Sequence, residues 1–188
     1  YENYSLKFTI KKLSVKEVSV SSYIAPTISM ELIIPNVATT KDNRDFNVVE
    51  IDAKAFFETL FTSTVIPDNI IKIGTSAFEL CTSLKSISFP SNVTTIPDRM
   101  FYRCKALRDI KFPENLKYIR NSAFFDCDNL VMLNFPNTLK QLYYRAFSNC
   151  GSLKYISLPE GLETIANEVF INCFNLEKVI SKATTTIP

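Results

Sequence analysis

The stretch FELCTSLKSISFP, from Phe78 to Pro90, recurs as FYRCKALRDIKFP from Phe101 to Pro113. Phe, Cys, Leu, Ile, Phe and Pro keep their places while the residues between them change. The skeleton returns as FFDCDNLVMLNFP from Phe124 and FSNCGSLKYISLP from Phe147, then decays to FINCFNLEKVISK from Phe170. The cysteines at 81, 104, 127, 150 and 173 stand 23 residues apart, as do the phenylalanines three places before them and the leucines three places after. A period of this length marks a solenoid, in which each unit buries its apolar edge only by stacking on the next. The repeated places face neighbouring units, and the variable ones face water.

Each unit divides in two. Leu84, Ile87 and Phe89, then Leu107, Ile110 and Phe112, give L-x-x-I-x-F. Its last residues alternate, which predicts a short strand with one buried face. Pro90, Pro113, Pro136 and Pro159 end these strands, because proline brings no N–H to a ladder. An apolar pair follows each proline: Val93/Ile96, Leu116/Ile119, Leu139/Leu142 and Leu162/Ile165. The return segment then reads at helical spacing, with Ile96, Met100, Phe101 and Cys104 at i, i+4, i+5 and i+8. Thr75, Asp98, Asn121 and Asn167 stand where an N-cap belongs, with Tyr144 the exception. Strands about 4.8 Å apart, each followed by a short return helix, build an α/β repeat solenoid with a parallel sheet on its concave side.

The order L-x-x-I/L-x-F/L-P-x-x-V/L-x-x-I, followed by A-F-x-x-C, resembles the BspA-like leucine-rich repeat from roughly Ile51 to Thr185. Ala77-Phe78, Ala123-Phe124 and Ala146-Phe147 carry the A-F pair, while Met100-Phe101 and Val169-Phe170 depart from it. The resemblance implies a right-handed leucine-rich repeat superhelix with short return helices. It also implies a secreted or cell-surface protein, since the family occurs on anaerobic bacteria and some protist parasites. Members are implicated in adhesion to host proteins and in aggregation between cells. The ending KATTTIP resembles copies from Bacteroides-type bacteria.

The period blurs at both ends. Ile51, Ala55 and Phe56 match Ile73, Ala77 and Phe78 with one residue lost, and Leu32-Ile33-Ile34-Pro35 resembles one more strand. KDNRDF, Lys41 to Phe46, reads as a polar surface loop inserted after that strand. Residues 1–30 lack the repeat; Leu6, Phe8 and Ile10, then Val18 and Val20, suggest two strands of a β-rich N-terminal cap. The expected organisation is that cap followed by repeats over 31–188, irregular up to 73 and regular over 74–180. SKATTTIP lacks the phenylalanine and proline of a strand end, and the resemblance implies further protein beyond it.

Composition removes several function classes. The 21 basic and 19 acidic residues leave a net charge of +2, so a nucleic-acid partner is not expected. No run approaches the roughly 18 apolar residues of a membrane-spanning helix. The chain has no histidine, which excludes Ser-His and Cys-His nucleophile systems and histidine metal sites. Gly74, Gly151 and Gly161 form no phosphate-cradling loop. Asp126 and Asp128 flank Cys127, but at the solvated end of a return segment. The five cysteines fall at one place in successive units, so they form an inward column. Their parallel side chains and odd number argue for buried free thiols, with neither disulfide nor metal. No cofactor and no catalytic residue is expected.

What remains is the outward face of the strands. Arg108, Asp109, Lys111, Met132, Asn134, Lys154 and Tyr155 would gather there from three adjacent strands. Arg and Tyr are favoured interface anchors, and exposed Met gives adaptable contact. The expected function is a non-enzymatic protein-binding module for adhesion. The alternative is a structural spacer with no ligand of its own.

Overall fold

The computed structural model describes residues 5–12, 17–24 and 31–183. KATTTIP falls mostly outside the described residues, as does part of the 1–30 region. The repeats wind as a solenoid of parallel strands. One sheet joins β3 (Glu31–Ile33), β6 (Ser63–Val65), β8 (Ser86–Ser88) and β10 (Asp109–Lys111). The same flank continues as a second sheet of β12 (Met132–Asn134), β14 (Tyr155–Leu158) and β16 (Lys178–Ser181). A lateral flank is built by β9 (Thr95–Ile96), β11 (Tyr118–Ile119), β13 (Gln141–Leu142) and β15 (Thr164–Ile165), all parallel. Places 23 residues apart are Cα partners, as in Tyr118↔Gln141 and Gln141↔Thr164. The period thus becomes a register.

At the N-terminal end, β1 (Ser5–Lys12) and β2 (Glu17–Ile24) pair antiparallel, and β2 lies parallel to β5 (Asp45–Ile51). Val18 and Val20 are buried there, and Leu6 and Phe8 pack on the core. The insertion is more ordered than a loop. β4 (Val37–Thr39) and β5 form a hairpin closed by Thr40 N–H donating to the Arg44 carbonyl at 2.9 Å. Lys41 to Arg44 are its exposed tip, but Phe46 is buried, because alternation along β5 turns it inward. The remaining strand, β7 (Lys72–Ile73), pairs with β5 and not with β9.

The return segments are not helices, which corrects the spacing-based expectation. Two places in each carry positive φ: Ser76 and Leu80, Arg99 and Arg103, Ser122 and Asp126, Arg145 and Asn149, Glu168 and Asn172, with φ from 52° to 62°. A left-handed residue every fourth position breaks a right-handed helix. It also swings alternate N–H groups out of the segment towards the next turn. Ser76, Phe78 and Leu80 donate to the carbonyls of Asp98, Met100 and Tyr102 at 3.0, 3.0 and 2.8 Å. Helical spacing misled because Met100, Phe101 and Cys104 all point inward from a winding of tight turns. The N-cap candidates therefore have other work. Asp98 Oδ1 accepts both the backbone and the side-chain N–H of Asn121, one turn on.

Three columns fill the interior. Phe56, Phe78, Phe101, Phe124, Phe147 and Phe170 stack along the axis, with centroids 4.9 Å apart and planes within 2° at Phe124–Phe147. The leucines at 84, 107, 130 and 153 are fully buried beside them. All five cysteines are buried free thiols, yet they are more than apolar filler. Each Sγ donates to the carbonyl of the phenylalanine one turn earlier, as in Cys104 to Phe78 and Cys127 to Phe101, both at 3.1 Å. Cys81, Cys150 and Cys173 repeat the contact. Thr59 takes the cysteine place in the first turn, and its hydroxyl donates to Phe56.

A fourth column lies two residues past each proline. Asn69, Asn92, Asn115 and Thr138 donate side-chain hydrogen bonds to backbone carbonyls of the preceding turn. Gly161 ends the column, because a Cβ there would meet the Asn137 carbonyl oxygen at 2.3 Å.

Candidate binding face

The strand flank turns its alternate residues outward, so side chains one turn apart stand side by side. Met132 and Tyr155 are Cα partners on β12 and β14, 53% and 42% exposed. Asn134 partners Ser157 on the same pair of strands. Tyr155 is fixed from below: its hydroxyl donates to Glu177 Oε2 at 2.9 Å, while Lys154 Nζ meets Glu177 Oε1 at 2.9 Å. Hydrogen bonds from Lys154 and Tyr155 lower the Glu177 carboxyl below its ordinary value, and the Glu177 carboxylate raises both Lys154 and Tyr155. A tethered ring loses little conformational freedom when a partner covers it. Glu177 belongs to the same cluster, although sequence reasoning left it out. Its signal was arithmetic, an acid 23 residues after a lysine.

Asp109 and Lys111 lie on β10, in register with Ser86 and Ser88. Arg108 precedes them and donates through Nε to Asp109 Oδ2 at 3.1 Å, with both side chains largely in solvent. Lys85 and Lys111 form no ion pair among the described residues. The structure therefore brings Met132, Asn134, Lys154 and Tyr155 together on one sheet and Arg108, Asp109 and Lys111 on another. An open groove of about 800 Å³ runs across both, lined in part by Ser63, Ser86, Arg108, Lys111 and Met132. Ile33 and Val65 add exposed apolar surface towards the N-terminal end, and Ile180 towards the other.

Among the described residues, no group of His, Cys, Asp or Glu side chains is arranged to hold a metal ion. Asp126 is tied to Arg103 and Lys105, and Lys105 also reaches Asp128, so this acidic pair sits in an ion-pair network. Among the described residues, no helix is long and apolar enough to cross a membrane.

Residues 49–186 match the BspA type leucine rich repeat region in six copies. The chain belongs to this BspA-type leucine-rich repeat family. No curated protein matches it. Among solved structures, it resembles a leucine-rich repeat protein from Bacteroides ovatus at 30% identity and TM-score 0.70, over 93% of this chain and 51% of that one. A T. pallidum leucine rich repeat protein matches at 25% identity and TM-score 0.78, over 94% of this chain and 82% of its own. The pneumococcal vaccine antigen PcpA matches at 26% identity and TM-score 0.79, over 94% of this chain and 48% of its own. The BspA-type chain described here thus spans about half the length of the Bacteroides and pneumococcal proteins.

Proposed function

We propose that this BspA-type repeat region is a non-enzymatic protein-binding module that works at a cell surface or after secretion. The observation that carries the reading is Met132 beside Tyr155, two exposed anchors in register, with the Tyr155 ring tethered by Glu177. Arg108, Asp109, Lys111, Asn134 and Lys154 surround them with polar contacts of the kind found at an interface rim. Arg108 and Lys111 line the groove together with Glu31 and Asp109, so it favours a protein partner that offers side chains of both charges next to an apolar anchor. Likeness to a pneumococcal vaccine antigen supports exposure at the cell surface. The family supports a binding role over catalysis.

The test uses the fragment as bait against host extracellular-matrix and mucosal extracts, followed by an affinity measurement with the captured protein. The double substitution Arg108→Ala with Tyr155→Ala, at unchanged thermal stability, should weaken binding about tenfold or more. Unchanged affinity moves the site to another flank or to the exposed Lys41–Arg44 hairpin tip. A bait that captures nothing above background leaves the module as a spacer.

A further inference from the structure

The groove is divided by a gap in the strand ladder. At every other junction from β6 onward on this flank, two successive N–H groups reach one carbonyl a turn earlier. Arg108 and Asp109 donate to Lys85 at 3.1 Å each; Lys154 and Tyr155 donate to Val131 at 2.8 and 3.2 Å; Glu177 and Lys178 donate to Lys154 at 3.0 Å each. Val131 and Met132 occupy the same places but make no such bonds to Arg108, and β10 does not pair with β12. Ile110 is only partly buried, whereas Thr64, Ile87, Leu133 and Ile156 in its column are 3% exposed or less. A cleft of about 340 Å³ opens at the gap, lined by Ile110, Lys111, Phe112, Asn134, Phe135 and Pro136.

The other two flanks of this junction are closed. On the lateral flank, β11 pairs with β13, and Lys140 and Gln141 donate to the Lys117 carbonyl at 2.9 and 3.1 Å. On the return flank, Ser122, Phe124 and Asp126 donate to Tyr144, Ala146 and Ser148, over the Phe124–Phe147 stack. The gap between β7 and β9 lies on the lateral flank, where the β6–β8 ladder still holds the groove side together.

A junction laced on two flanks and open on the third can flex about the laced pair. We infer that the β10–β12 junction is a hinge, about which the turns before and after it open and close the groove. Breathing there breaks no strand hydrogen bonds, so it takes less free energy than at any laddered junction. The motion changes the spacing between Arg108, Asp109 and Lys111 on one lip and Met132 and Asn134 on the other. It needs no ligand, and so it stands or falls apart from the binding role.

Amide exchange and relaxation dispersion by NMR test the hinge. Amides of Val131 and Met132 should exchange about a hundredfold faster than those of Lys154 and Tyr155, which hold the same places one turn on. Residues of β10 and β12 should show microsecond-to-millisecond dispersion that β6 and β8 lack. Oxidising the double variant Lys111→Cys with Asn134→Cys, a pair one turn apart across the gap, should quench that dispersion, and reduction should restore it. Equal protection of the two amide pairs overturns the hinge. So does fast exchange with flat dispersion, which means a static gap.

Discussion

Cys127 Sγ donates to the Phe101 carbonyl at 3.1 Å, linking two turns through a fully buried thiol. That carbonyl also accepts the Cys104 N–H at 3.1 Å, so the thiol supplies its second bond. Cys127→Ala should therefore cost about 1–2 kcal/mol, combining a weak hydrogen bond with a small void. Urea denaturation at an unchanged m-value measures it. A cost near zero would mean that the column is filler only.

The same column makes stability depend on alkaline pH. Burial pushes the Cys81 thiol up from 9.0 to about 11, and raises Cys104, Cys127 and Cys150 as well. In the window between these values the unfolded chain loses thiol protons that the folded chain keeps. The contribution to stability is thus complete below about pH 9 and is lost as pH rises through about 11. Denaturation midpoints followed across that window should fall, and should fall less in the Cys81→Ser variant. A flat profile counts against buried thiols.

Ser122 distinguishes a tight turn from a helix. In a helix interior, replacing Ser by Gly costs about 0.5 kcal/mol. At its φ of 52°, glycine instead relieves a left-handed conformation that L side chains resist. Ser122→Gly should be neutral or stabilising by thermal melt. Clear destabilisation would restore the helical reading.

Phe124 has an aromatic neighbour in the turn on either side, at 5.1 and 4.9 Å, and is fully buried. Phe124→Ala should cost about 3–5 kcal/mol. Lys111→Ala, on the exposed strand face, should stay within about 0.5 kcal/mol of neutral. Similar costs at both positions would invert the assignment of inside and outside.

The groove-side strands and the Phe, Cys and Leu columns could be read from the sequence because their cause is periodic. A place that must be apolar in every turn declares itself by recurring, as Phe78, Cys81 and Leu84 do. The lateral strands β9, β11, β13 and β15 were not read, since Ile96 read as part of a helical face. The return segments could not be read the same way. Their left-handed positions hold Ser76, Leu80, Arg99 and Asp126, residues with no common chemistry, because bonds to the next turn impose the conformation. The candidate face was legible as exposed positions, since alternation assigns Met132 and Tyr155 outward. The gap beside Ile110 was not, for Leu107, Ile110 and Phe112 fit the repeat as well as any other unit. Hydrogen-bond geometry at one junction leaves no mark in a side-chain pattern.

The direction of the bonds between turns has a consequence for how long such an array can be. In an α-helix all peptide dipoles add, and partial charge gathers at the two ends. Here the return-segment N–H groups of Ser76, Phe78 and Leu80 point towards the following turn, while those of Lys85, Arg108 and Lys117 point towards the preceding one. The two sets oppose and offset each other across the same cross-section. Whole units can then be added or deleted without building an electrostatic penalty at either end, which leaves repeat number free to vary.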